Sequence, residues 1–160
     1  MPDVVANSTP IIALAKIGRL DLLRPLYGEV AIPRAVYDEV TAKEDAAAQA
    51  VDSSVEWLLV EDAPEPDAAS LLRARLHAGE VETIMLARRD GAALVVIDDN
   101  AAKRTARYLG LPVTGTLGVI VAAKRAGLLD SARDAVADLR EIGFYVSDVV
   151  VDMALAAAGE

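Results

Sequence analysis

The predicted fold class is α/β, a central parallel sheet flanked by helices, and three observations predict it. Short aliphatic runs alternate with stretches of helical periodicity, the order expected of strand–helix units. Hydrophobic residues make up 54% of the chain but aromatic ones only 4%, so the core must be built of Ala, Val, Leu and Ile. The clearest run, Leu94-Val95-Val96-Ile97, is aliphatic at every position, as in strands covered on both faces. The 160 residues suit one domain over 1–160, long enough to bury a real core.

Val4-Val5-Ala6 reads as a short buried strand, and Asn7-Ser8-Thr9-Pro10 as the cap and turn that start a helix. Ile11, Ile12, Leu14 and Ala15 form the apolar face of that helix, and Gly18 stops it. A short helix follows over Asp21 to Tyr27, then a strand at Val30-Ala31-Ile32. Pro33 opens a helix in which Val36 and Val40 share a face.

Lys43 to Ser54 reads as a helix followed by a turn, and Val55 to Val60 as a strand carrying the only Trp. Glu61 to Asp67 is linker-like but too short to divide the chain. Asp67 to His77 is helical, Gly79 interrupts, and Glu80 starts another helix through Arg89. After the strand at Leu94 to Ile97 comes a helix over Ala101 to Leu109, and a short strand begins at Pro112 and Val113. Helices are expected over Leu117 to Ala126, Ser131 to Ile142 and Asp148 to Ala158, with Phe144-Tyr145-Val146 as an edge or terminal strand. No internal repeat or low-complexity tail interrupts this pattern.

The bulk properties exclude several function classes. With no cysteine there are no disulfides and no thiolate metal sites. The start, Met1-Pro2-Asp3, lacks a basic signal-peptide front, and no apolar run approaches the roughly 20 residues needed to span a bilayer. A soluble, cytoplasmic protein is expected. The net charge of −9 argues against a broad basic nucleic-acid surface but suits a basic partner protein or a carboxylate-rich, metal-dependent site.

Two aliphatic strands end in polar clusters, Asn7-Ser8-Thr9 and Asp98-Asp99-Asn100. Ligands of open α/β sheets bind beyond the carboxyl ends of strands, so parallel neighbours would aim both clusters into one crevice. Carboxylates gathered there repel unless a cation binds them, and oxygen-only donors select Mg²⁺ or Mn²⁺. Asp and Asn are also ordinary helix caps after strands. Glu80 and Glu82 stand where a helix dipole favours negative charge, and being two apart they cannot share one face. Glu39, near the end of its helix, gains nothing from the dipole, and a solvated surface is its plainer explanation.

Taken together these residues resemble the PIN-domain family. Val4 to Leu14 resembles the opening of its members, Ile32 to Val40 their second signature, Gly79 to Ala87 the third and Val95 to Asp99 the fourth. Thr114-Gly115-Thr116-Leu117-Gly118 and Gly143-Phe144-Tyr145-Val146-Ser147 fit one PIN-like branch of predicted nucleic-acid-binding proteins. Each motif alone is weak; their order and spacing are specific and cover nearly the whole chain. The resemblance implies a three-layer PIN-like fold and Mg²⁺- or Mn²⁺-dependent cleavage of single-stranded RNA. It also implies kinship with ribonuclease toxins that form dimers and are silenced by a small antitoxin.

Carried over residue by residue, the resemblance places the metal at Asn7, Glu39, Glu80 and Asp99. Asp98 and Glu82 are close seconds, and Ser8 or Thr9 is a polar helper. Most active relatives have Asp where this chain has Asn7, whose amide oxygen can bind a cation but carries no charge. The implied reaction is in-line hydrolysis leaving a 3′-hydroxyl and a 5′-phosphate. Lys103, Arg104 and Arg107 could meet RNA phosphates, or form a solvated helix face.

Other readings rest on fewer residues. A PIN-like binding module without catalysis is the main alternative, on the strength of Asn7. A phosphoacceptor receiver domain would need its acidic pair after the first strand, where Asn7 stands. Thr114 to Gly118 lacks the lysine and spacing of a nucleotide-binding loop. Thr116 reads as a helix cap or a polar wall of the site. His77 reads as a helix-end surface residue, Trp57 as core, and the final helix, apolar on several sides, as a cover for the sheet or a partner surface.

Overall fold

The computed structural model describes residues 2–65 and 76–160. Five strands form one parallel sheet: β1 (Val4–Ala6), β2 (Val30–Pro33), β3 (Leu58–Glu61), β4 (Leu94–Val96) and β5 (Val113–Thr114), in the order β3-β2-β1-β4-β5. The chain builds outward from β1 to β3, then returns to lay β4 on the other side of β1. Val5 therefore stands between Ala31 and Val95.

Because successive side chains alternate across a strand, β1 and β4 each serve two cores. Val4, Ala6 and Val96 pack into one cluster, with residues of α1 (Ser8–Lys16), α2 (Leu23–Tyr27), α3 (Arg34–Thr41), α4 (Ala46–Asp52), α7 (Thr116–Arg125), α8 (Ala132–Glu141) and α9 (Asp148–Ala157). Val5, Val95 and Ile97 pack into the other, with α5 (Ala78–Asp90) and α6 (Asn100–Tyr108). The result is the three-layer α/β arrangement expected. The central strands β1 and β4 are aliphatic throughout, as strands covered on both faces are.

Several boundaries differ from expectation. The third strand is Leu58–Glu61, not Val55 to Val60. Residues 54–57 make a turn in which the N–H groups of Trp57 and Leu58 both donate to the Ser54 carbonyl (3.1 and 2.8 Å). Trp57 thus enters the core just ahead of the strand. Gly79 does not interrupt a helix, because α5 begins at Ala78 and runs through it. The helix expected over Asp67 to His77 lies outside the described residues except for Leu76 and His77. Those two precede α5, with His77 exposed at its N-cap.

Phe144-Tyr145-Val146 is not a strand. It joins no sheet, and its start is a helix end. Gly143 takes φ +87°, its N–H donates to the Arg140 carbonyl (3.0 Å) and the Phe144 N–H donates to the Leu139 carbonyl (3.0 Å). That pair of bonds is a Schellman motif closing α8, and only glycine adopts the conformation without strain. Beyond this loop α9 packs on α7 and α8, burying Leu155 and Ala158 and leaving Val149 and Met153 exposed.

Candidate functional site

The strand order reverses at β1, so the gap beyond the ends of β1 and β4 is the sheet's topological switch point, where α/β sheets bind ligands. Asn7 continues β1 into that gap. Its N–H donates to the Val96 carbonyl (2.9 Å), which fixes the residue against β4, and its side chain is only 3% exposed. Ser8, in the first turn of α1, donates from Oγ to Glu39 Oε2 (2.8 Å). Glu39 is otherwise exposed on α3 and also walls a smaller cavity of about 260 Å³ with Lys16 and Lys43.

Gly79 explains how Asn7 and Glu39 share space. A Cβ at Gly79 would lie 3.3 Å from Glu39 Oε2 and 3.6 Å from Asn7 Oδ1. Two oxygens from distant segments therefore point at one spot, and the missing side chain of α5 leaves it open. Thr83, one turn on and fully buried, donates from Oγ1 to the Gly79 carbonyl (2.7 Å) and lies 3.4 Å from Asn7 Oδ1.

The remaining acids are held by helix starts. Asp98 accepts from the Thr116 N–H at Oδ1 (2.8 Å) and from Thr116 Oγ1 at Oδ2 (2.6 Å), which binds the end of β4 to the first turn of α7. Asp99 caps α6, its Oδ1 accepting from the Ala102 N–H (2.8 Å). Glu80 Oε2 accepts from the His77 N–H (3.1 Å) at the start of α5. Glu82 points elsewhere: its Oε1 accepts from the Ala35 N–H (3.3 Å) at the start of α3. Each carboxylate thus satisfies backbone or hydroxyl donors that a helix N-terminus leaves orphaned, and gains from its dipole.

Glu80, Asp98, Asp99 and Lys103 line one open cavity of about 750 Å³, together with the loop 143–147. Arg104 and Arg107 are exposed on α6 and do not line it. A family model described as a PIN domain matches residues 3–160. The chain belongs to the PIN-domain family. The family's fold is a nuclease fold, which sets aside the phosphoacceptor reading. No curated protein matches the sequence.

The donor set of this PIN domain is all oxygen, one amide and several carboxylates, which fits a hard divalent cation in chemistry. In position the fit is partial. Asn7 and Glu39 aim at one point, Glu80, Asp98 and Asp99 face one cavity, and Glu82 is engaged with α3. Among the described residues no three Asp, Glu or His side chains stand together as a ready metal group.

Two residues that shape the site in this PIN domain, Gly79 and Thr83, carry no such role in the sequence pattern, and a third, Thr116, takes a different one. Gly79 reads from sequence as a break and is the opening beside Asn7. Thr83 has only a weak signal, a Thr four residues after a Gly in a helix, which can bond back to it. Thr116 reads as a cap or a wall; Gly115 holds the cap position, and Thr116 anchors Asp98 instead.

Proposed function

We propose that this PIN domain is a Mg²⁺- or Mn²⁺-dependent endoribonuclease that cleaves single-stranded RNA and serves as the toxin of a toxin–antitoxin pair. The observation that carries the reading is the switch point itself. Within a nuclease family, Glu80, Asp98 and Asp99 line one cavity beyond the end of β4, and Asn7, at the end of the neighbouring β1, lies beside Glu39.

In this reading Asn7, Glu39, Glu80 and Asp99 hold the cation, with Asp98 supporting them, while Glu82 braces the start of α3, the helix that carries Glu39. A bound divalent ion supplies Lewis acidity and lowers the pKa of an attacking water. Asp98 and Asp99 brace the starts of α7 and α6, so the carboxylates reach the substrate already oriented. Lys103 brings positive charge into an acidic cavity and takes an RNA phosphate. Cleavage leaves a 3′-hydroxyl and a 5′-phosphate. The net charge of −9 suits a basic antitoxin, and exposed Val149 and Met153 on α9 offer apolar surface to it or to a second copy in a homodimer. The place of action is the cytoplasm, and the domain spans 1–160.

Purified protein, Mn²⁺ and labelled single-stranded RNA test the proposal. Asp99→Asn keeps a capping oxygen and Asp99→Ala removes it; both are expected to lose cleavage. If wild type and both variants degrade RNA equally, the proposal fails. A second reading, a PIN module that binds without cutting, is favoured by the uncharged Asn7 and by the division of the acids into separate groups. Calorimetry with Mn²⁺ separates the two, since the absence of binding at millimolar metal selects the second.

A further inference from the structure

The loop between α8 and α9 is short and pinned at both ends. The Schellman bonds at Gly143 hold its start. At its end Arg140 Nη2 donates to the Val146 carbonyl (2.9 Å) and to Asp148 Oδ1 (2.8 Å), and Ser147 Oγ accepts from the Val150 N–H (3.3 Å). Phe144 leans on the core beneath. On this held loop Tyr145 is 90% exposed. The loop's own anchoring accounts for where the ring sits, but no packing accounts for a ring held out in water.

Tyr145 lines the same cavity as Glu80, Asp98, Asp99 and Lys103. The lining is therefore part aromatic and part charged, with carboxylates and one lysine in the same cavity. The lysine makes no ion pair within 4 Å among the described residues. The cavity volume of about 750 Å³ is within the range of small-ligand sites. An aromatic ring and a cation without a close ion pair, lining one cavity, suit the two halves of a nucleotide, base and phosphate. A protein partner's apolar face would instead meet the cavity's charged groups.

We propose that Tyr145 is a stacking platform for one nucleobase of a single-stranded RNA, with Lys103 taking the adjoining phosphate. The inference rests on the nuclease reading above and adds the subsite that positions the substrate. Stacking is sequence-tolerant because every base has a π-face, so Tyr145 contributes affinity and register rather than base identity.

The test compares wild type, Tyr145→Ala and Tyr145→Phe on short single-stranded RNA in Mn²⁺. Tyr145→Ala is expected to raise KM about tenfold with kcat little changed, and Tyr145→Phe to stay near wild type. One 2-aminopurine walked along the RNA should lose emission at a single position, read within the mixing time, and Tyr145→Ala should abolish that loss. If wild type cleaves and Tyr145→Ala matches it in KM and emission, the platform is wrong while the nuclease stands. If Tyr145→Ala converts a dimer to a monomer by light scattering and leaves KM alone, the ring belongs to a protein interface and the platform is overturned. If wild type neither binds nor cuts RNA, both readings fall.

Discussion

Ser8 Oγ and Glu39 Oε2 lie 2.8 Å apart, a hydrogen bond that ties the first turn of α1 to α3 across 31 residues of chain. It fixes an exposed carboxylate beside Asn7, and the glycine at position 79 leaves room for both. The bond therefore links packing to the proposed chemistry, and breaking it should register in both.

Ser8→Ala removes the donor from a partly buried pair. The expected cost is about 1 kcal/mol of stability, the usual net worth of such a bond. In the nuclease reading Glu39 also loses its orientation, so Mn²⁺ affinity falls. Denaturant unfolding and calorimetry with Mn²⁺ check the two parts, and Ser8→Thr should restore both.

Asn7→Asp places a charge on a side chain 3% exposed, beside Glu39. Without metal, the variant should lose roughly 1–3 kcal/mol of stability. Saturating Mn²⁺ should raise its Tm more than it raises that of wild type, because binding to the folded state stabilises by mass action. Thermal melts in EDTA and in Mn²⁺ measure the difference. An equal metal response in both proteins would remove Asn7 from the proposed donor set.

Gly115→Ala tests the anchoring of Asp98. The added Cβ would stand 2.6 Å from Asp98 Oδ1 and 3.0 Å from Lys103 Nζ. Asp98 cannot yield without losing its bonds to Thr116. The expected destabilisation is about 1–3 kcal/mol by urea denaturation, the range for overpacking a filled site.

Glu61 and Asp90 give a pH dependence away from the site. Burial, and then the neighbouring Asp90, pushes the Glu61 carboxyl above its ordinary range, with Arg89 Nη2 3.4 Å from Glu61 and Arg89 Nε 2.8 Å from Asp90 opposing the shift in part. Among the described residues Asp90 Oδ2 is buried without a partner. The folded chain holds this proton to higher pH than the unfolded chain does. Stability is therefore undiminished below the unfolded pKa and falls as pH rises through the folded one. Glu61→Gln mimics the protonated form, so its Tm should exceed that of wild type above neutrality and converge with it near pH 4.

Glu160 has the opposite sign. The Ala132 N–H donates to its Oε2 (2.5 Å) and lowers its pKa, with the Arg133 N–H adding to the effect. Its contribution is present above the ordinary carboxylate pKa and lost as pH falls through the depressed folded value. Glu160→Gln should melt below wild type at pH 7, with the gap closing on acidification.

Much of the fold was legible because strand and helix patterns are local. Leu94 to Ile97 is aliphatic at each position and became the inner strand beside β1. Pro33, Ser131 and Asp148 marked helix starts to within a residue. Phe144-Tyr145-Val146 failed because three apolar residues read as a strand whenever no partner is considered. A glycine-closed helix end took that segment, and both sheet edges lay elsewhere.

The sequence by itself determined the α/β class, the covered parallel sheet and the ends of β1 and β4 where polar residues collect, because each follows from the periodicity of neighbouring residues. Tertiary structure alone decided which acids meet. Thr116 claims Asp98 across 18 residues and Ala35 claims Glu82 across 47, while Asn7 and Glu39 converge over a glycine from a third segment. Those pairings depend on crossing helices and on orphaned donors at their starts, and a carboxylate's position in the chain carries no record of which donor will reach it.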